Sequence, residues 1–124
     1  MPGRVVLLII LCAVLTMGAN LGMRHGLLQV GGFVLKEDGI PGLLFRLARS
    51  WSFVLGVLAY ALAAVVWFKV LSLAEVSSSY PLLVGLTFVL VTTGAVLLFH
   101  EELRMLKVAG IVVILVGIVL ISKS

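Results

Sequence analysis

Charge is scarce in this chain. Asp, Glu, Lys and Arg make up 11% of its 124 residues, where a soluble domain carries about 25%. Hydrophobic residues make up 63%, and the mean hydropathy is +1.34. That balance excludes a water-soluble globule, because no core of this size could hide so much apolar surface; lipid is the solvent. Cysteine occurs once, as Cys12. An intrachain disulfide is thereby excluded, and Cys12 reads as a small apolar packing residue in the first apolar run. Acids are rarer than bases: five in all, Glu37, Asp38, Glu75, Glu101 and Glu102, none inside an apolar run. A proton-coupled antiporter usually carries a buried carboxylate that binds a proton and a cation in turn. The sequence also shows no metal-ligating cluster, no glycine loop to cradle a phosphate and no nucleophile–His–acid set. No catalytic residue, metal site or cofactor site is therefore expected. The net charge is +4. Its basic residues border the apolar runs, which reads as membrane topology and not as nucleic-acid binding.

What is present is apolar length. Residues 5–23, 50–68, 76–99 and 108–122 contain no Asp, Glu, Lys or Arg. A helix needs about 20 mostly apolar residues to cross roughly 30 Å of hydrocarbon. The expectation is one all-α membrane domain, 1–124, with four transmembrane helices at about 5–28, 51–73, 78–99 and 106–122. Arg4 followed by an apolar run resembles a signal peptide, but the run continues to Met23, which suits a span better. The last span is short, and Lys107 and Lys123 can snorkel to complete it. Trp51 and Trp67 stand near opposite ends of the second span as interfacial anchors. The connection 29–49 is punctuated by Gly31-Gly32 and Gly39-Ile40-Pro41-Gly42, and its Lys36-Glu37-Asp38 run belongs in water. Beyond Pro41, Leu43, Leu44 and Leu47 alternate with Arg46 and Arg49 at helical spacing, as in a short interfacial helix. Arg24, Lys36, Arg46, Arg49, Arg104 and Lys107 fall on one side of the membrane, and Arg4, Lys69 and Lys123 on the other. The imbalance puts the 1–2 and 3–4 connections in the cytoplasm and both termini outside.

Thr16, Asn20 and Arg24 recur every fourth residue and share one helix face. A polar group at membrane depth is costly and usually faces a protein interior or a wet cavity. Asn20 reads either as interhelical glue, worth about 1 kcal/mol, or as a ligand contact in a central cavity. Arg24 reads as an interfacial anchor or as the binder of an anionic headgroup, its planar fork giving a phosphate two parallel hydrogen bonds. Lys69 can snorkel, pair with Glu75 or attract a phosphate. Tyr60 and Trp67 share a face whose default partner is lipid or a neighbouring helix. Ser77, Ser78 and Ser79 can cap backbone N–H groups at the start of the third span, or line a cavity mouth with Tyr80. Tyr80 shares a face with Thr87, while Thr92 and Thr93 read as back-bonding to carbonyls. Gly110 and Gly117 lie on one face of the last span, where small residues let backbones approach. A chain this short cannot enclose a large path alone, so a dimer is expected, of identical or of related chains.

Residues 78–121, SSYPLLVGLTFVLVTTGAVLLFHEELRMLKVAGIVVILVGIVLI, resemble the drug/metabolite transporter superfamily. A polar–Tyr helix start is followed by a Gly-bearing span, a Phe–His–Glu–Glu turn and a Gly-rich last helix. The length is similar to that of the small four-helix members, the small multidrug resistance exporters and the flippase subunits for aminoarabinose on undecaprenyl phosphate. The exporters carry a membrane-embedded Glu in helix 1, one turn before the position matching Gly18-Ala19; Thr16 stands there. Ser79-Tyr80-Pro81 looks like the Ala-Tyr-Pro start of helix 3 in the flippase subunits. Those subunits also carry a Gln- or Asn-type residue followed by a basic residue in helix 1, matching Asn20 and Arg24. The 29–49 connection departs from both groups.

The resemblance implies a small multidrug resistance-like fold in the bacterial inner membrane. It implies translocation of a polyprenyl-phosphate-linked sugar, with Arg24 and Lys69 on the phosphate and with Thr16, Asn20, Ser78 and Tyr80 on the sugar or its path. It also implies that Gly110 and Gly117 form the dimer contact. The alternative is proton-coupled export of small cations, for which Glu75 or Glu101 would have to enter the cavity. A third reading is a non-transporting partner subunit.

Overall fold

A computed structural model describes residues 3–37 and 39–123; Met1, Pro2, Asp38, Ser124 and the side chain of Ser122 lie outside the described set. The chain forms five helices: α1 (Gly3–Gln29), α2 (Gly39–Ala48), α3 (Trp51–Leu73), α4 (Val76–Phe99) and α5 (Met105–Lys123). α1, α3 and α4, of 27, 23 and 24 residues, are long and apolar enough to cross a bilayer. The chain is a multi-pass, all-α membrane protein. The apolar part of α5, Met105–Ile121, is shorter, so three spans and not four stand on length and composition. α1, α3, α4 and α5 are apolar all round, the pattern of helices bathed in lipid, and α2 is the amphipathic one. Large side chains such as Leu7, Leu55, Leu62, Phe68 and Leu97 point outward. In water such a surface would drive aggregation.

α1 is the hub, packing on α3 along its length and on α4 at its other flank; α5 joins through α4. The α1–α3 seam is built from glycine. A Cβ placed on Gly56 would lie 2.8 Å from the Ala19 carbonyl oxygen, and one on Gly26 would lie 2.6 Å from the Phe53 nitrogen. Backbones come that close only where side chains are missing. At the α4 seams, Gly94 accommodates Leu21 and Gly85 accommodates Ile118. Where the amino end of α1 meets the carboxyl end of α3, Val5, Ile9 and Val70 form a buried cluster. Trp67, Leu83 and Leu86 pack against it.

Local signals account for the helix ends. The Ser50 hydroxyl accepts a hydrogen bond from Phe53 N at 3.3 Å and caps α3. Gly31 and Gly32, both at positive φ, end α1; Gly32 N donates to Leu27 O at 2.7 Å. α4 begins at Val76 with Glu75 as its cap residue, which corrects the capping expected of Ser77, Ser78 and Ser79. All three serines lie inside the helix, because the chain turns helical before them. Pro81 then falls beyond the first turn, and its missing N–H leaves the Ser77 carbonyl without a helical donor. α2 buries Leu43 and Leu47, packs on α3 and leaves Ile40, Leu44 and Phe45 exposed. Arg46 donates to the Val34 carbonyl at 2.9 Å and ties the preceding loop to α2.

Candidate functional site

A cavity of about 480 Å³ opens between α1, α3 and α4. α1 lines it with Cys12, Thr16 and Asn20, α3 with Tyr60, Ala63, Ala64 and Trp67, and α4 with Tyr80, Leu83, Thr87 and Phe88 among others. The register is helical on all three walls, since residues three, four and seven apart share a face. The two alanines of α3 make the room that larger side chains would fill.

The hydroxyl of Thr16 donates to Cys12 O at 2.8 Å, and Asn20 Nδ2 donates to Thr16 O at 2.9 Å. Thr16 Oγ1 therefore keeps its lone pairs, and Asn20 keeps its carbonyl oxygen and one N–H. The Thr87 hydroxyl oxygen is buried without a hydrogen-bond partner. Buried polar groups are rarely left unpaired, and this one belongs to a residue of the cavity wall. The rings of Trp67 and Tyr80 lie 5.8 Å apart at 57°, in a tilted pair, and Tyr60 adds a third aromatic wall. Among the described residues, none lining this cavity carries a formal charge. Aromatic faces with a few hydroxyl and amide groups suit a neutral or weakly charged polar ligand with apolar ring faces, such as a sugar.

The structure divides the expected polar stripe. Thr16 and Asn20 face the cavity, and Arg24 does not. Arg24 Nε lies 3.2 Å from Glu101 Oε2, and its guanidinium carbon sits 5.1 Å above the Phe99 ring. Beside it, His25 Nδ1 and Ser52 Oγ are hydrogen-bonded at 3.0 Å. Tyr80 lines the cavity, whereas Ser78 does not. Ser79 is the fully buried member of the serine run, its hydroxyl oxygen unpartnered. Lys69 and Glu75 are exposed at the end opposite Arg24, and no ion pair joins them among the described residues. Thr93 back-bonds to Val89 O at 2.8 Å. A Cβ on Gly110 or Gly117 would meet no atom within 4 Å, so this face of α5 is open.

Tyr60, Trp67 and Cys12 are cavity residues that reading the sequence assigned to packing. The available signal was the heptad step from Tyr60 to Trp67, the same step that joins Tyr80 to Thr87. No group of three or more His, Cys, Asp or Glu side chains able to hold a metal ion occurs among the described residues.

The chain is 39% identical over 79 residues to the probable 4-amino-4-deoxy-L-arabinose-phosphoundecaprenol flippase subunit ArnE of Pseudomonas aeruginosa strain UCBPP-PA14. That match covers 64% of this chain and 67% of the relative. A protein of the same name from Pseudomonas savastanoi pv. phaseolicola strain 1448A is 35% identical over 88 residues, covering 71% of this chain and 75% of the relative. No protein-family model and no solved structure matches. A shared likeness of this extent to proteins of one name fixes the grouping: the chain belongs to the ArnE family of flippase subunits.

Proposed function

We propose that this chain is part of a transporter that moves an undecaprenyl-phosphate-linked sugar, aminoarabinose, across the bacterial inner membrane. The observation that carries the reading is the carboxylate-free cavity of Thr16, Asn20, Thr87, Tyr60, Trp67 and Tyr80 in a member of a flippase-subunit family. The sugar enters the cavity, its ring against the aromatic faces and its hydroxyl and amino groups toward Asn20, Thr16 and Thr87. The phosphate stays at headgroup level and meets Arg24 on one side of the membrane and Lys69 on the other. The polyprenyl tail remains in lipid. α5 serves as the fourth span, with Lys107 and Lys123 at its two ends.

The exporter alternative needs a carboxylate in the cavity. Glu101 is engaged by Arg24, and Glu75 is exposed at the start of α4. The site therefore favours the lipid-linked sugar.

The test is reconstitution in vesicles with the aminoarabinose lipid, followed by labelling with a membrane-impermeant, amine-reactive reagent. Added protein is expected to raise the labelled fraction over time. Asn20→Ala is expected to slow it by about fivefold to tenfold, the value of one hydrogen bond of about 1 kcal/mol or slightly more. Labelling no faster with protein than without, in the presence of any related subunit, would reject the reading.

The working unit is a dimer, of identical or of related chains, joined through the open Gly110 and Gly117 face of α5. Gly117→Leu is expected to shift the protein toward monomer in cross-linking from native membranes. An unchanged dimer fraction would move the contact elsewhere.

A further inference from the structure

We infer that Glu101 is a stand-in for the substrate's phosphate on Arg24, so that an arriving phosphate releases the α4–α5 connection from α1. The inference rests on the reading of Arg24 as a phosphate contact and adds what that contact must displace. Arg24 lies near the carboxyl end of α1, and Glu101 lies just beyond α4, so their 3.2 Å pair ties α1 to the connection leading into α5. Both side chains remain partly open, 51% and 36% exposed, so an anion can reach the pair from outside. The contact between the two side chains runs from Nε of Arg24 to Oε2 of Glu101. A phosphate can present two oxygens to the planar fork of a guanidinium, as a carboxylate does.

The guanidinium already rests on the Phe99 ring, which holds its plane in place for an incoming anion. Two anions on one guanidinium repel each other, and the neighbouring cation Arg104 is already paired with Glu102 at 3.4 Å. Glu101 is therefore the group that must leave. His100 closes α4 in a left-handed conformation, φ 55°, so the backbone beyond it is a turn and not a rigid helix. α5 packs on α4 and makes no comparable contact with α1 or α3. Once Glu101 lets go, the α5 end of the molecule is uncoupled from the hub at this membrane face. Headgroup capture is thereby communicated to the helix whose glycine face is open.

The experiment uses the full chain in lipid nanodiscs with undecaprenyl phosphate as the probe. Binding is read by native mass spectrometry. The separation of spin labels at Leu28→Cys and Leu103→Cys, in a Cys12→Ala background, is read by pulsed electron resonance. Undecaprenyl phosphate is expected to lengthen the label separation. E101Q is expected to show the longer separation without ligand and to bind the probe several-fold more tightly, because a competitor is gone. R24Q is expected to lose binding about tenfold or more. If R24Q weakens binding but E101Q does not tighten it and the separation does not change, the exchange is overturned and the phosphate contact stands. If R24Q binds as well as the unmodified chain, the phosphate reading itself fails and the inference falls with it. Inorganic phosphate or phosphatidylglycerol producing the same lengthening would support the exchange and remove undecaprenyl phosphate as its specific trigger.

Discussion

Trp67→Ala is expected to cut translocation by roughly ten- to a hundredfold while the protein still reaches the membrane. Trp67 stands where the cavity and the packed cluster of Val5, Ile9 and Val70 meet. Truncation removes the indole face at 5.8 Å from Tyr80 and lets Tyr80 relax from its tilted arrangement. An aromatic pair is worth about 0.5–1.5 kcal/mol beyond the area it buries. The ligand loses a comparable stacking surface of its own, and about 1.4 kcal/mol is a factor of ten. Trp67→Phe separates this loss from a general packing defect. Phenylalanine keeps a π face and most of the volume, so its rate is expected to fall only a few-fold. The vesicle labelling assay reads both variants, with thermal unfolding as the control. Equal damage from Ala and Phe would point to the indole N–H, and no damage from either would remove Trp67 from the site.

Gly56→Val is expected to have the largest effect on the fold itself. The Cβ it introduces would lie 2.8 Å from the Ala19 carbonyl oxygen and 2.8 Å from the Met23 nitrogen. Both obstacles are backbone atoms of α1, and they cannot swing aside as a side-chain tip can. Overpacking a tight contact costs about 1–3 kcal/mol even where the structure can adjust. Helices in lipid have no hydrophobic force drawing them together, so fit at the seam is most of what holds them. The variant is expected to unfold at clearly lower temperature in mild detergent and to lose the cavity, which needs α1 and α3 in register. Gly18→Val is the control: on α1, the helix that Gly56 faces, a Cβ at Gly18 meets nothing within 4 Å, and its stability is expected to stay near that of the unmodified chain. Equal losses from the two variants would mean that helix propensity, and not the seam, sets the stability.

Much of this molecule is legible before any coordinate. Uncharged length marks the long helices, because lipid tolerates few other solutions for a backbone. Helical spacing in the sequence picks out Thr16, Asn20 and Tyr80, which line one cavity. Spacing fails where a second helix decides the outcome. Arg24 continues the stripe of Thr16 and Asn20, yet each step of four residues drifts around the helix, and by Arg24 the face has turned toward Glu101. Three serines look like caps and place the start of α4 too late, whereas the chain is already helical at Val76. Tyr60 and Trp67 share a face by their heptad step, but that step does not say which neighbour the face meets. The seam does carry a sequence sign: Gly22 and Gly26 stand four apart on α1, the small-residue spacing of close helix pairs.

The hub of the bundle is made before the helices that pack on it. α1 must wait in the bilayer while the 29–49 connection, α3 and α4 are still being made. A strand of polar side chains would ordinarily make that wait costly. The hydrogen bonds described above lessen that cost: Thr16 gives its proton to the Cys12 carbonyl and Asn20 gives one of its own to the Thr16 carbonyl, both within α1. Part of the polar demand of the helix is thus met within α1 itself at the moment of insertion. Because those bonds stay inside α1 after its neighbours arrive, the remaining polar valences of Thr16 and Asn20 face the cavity.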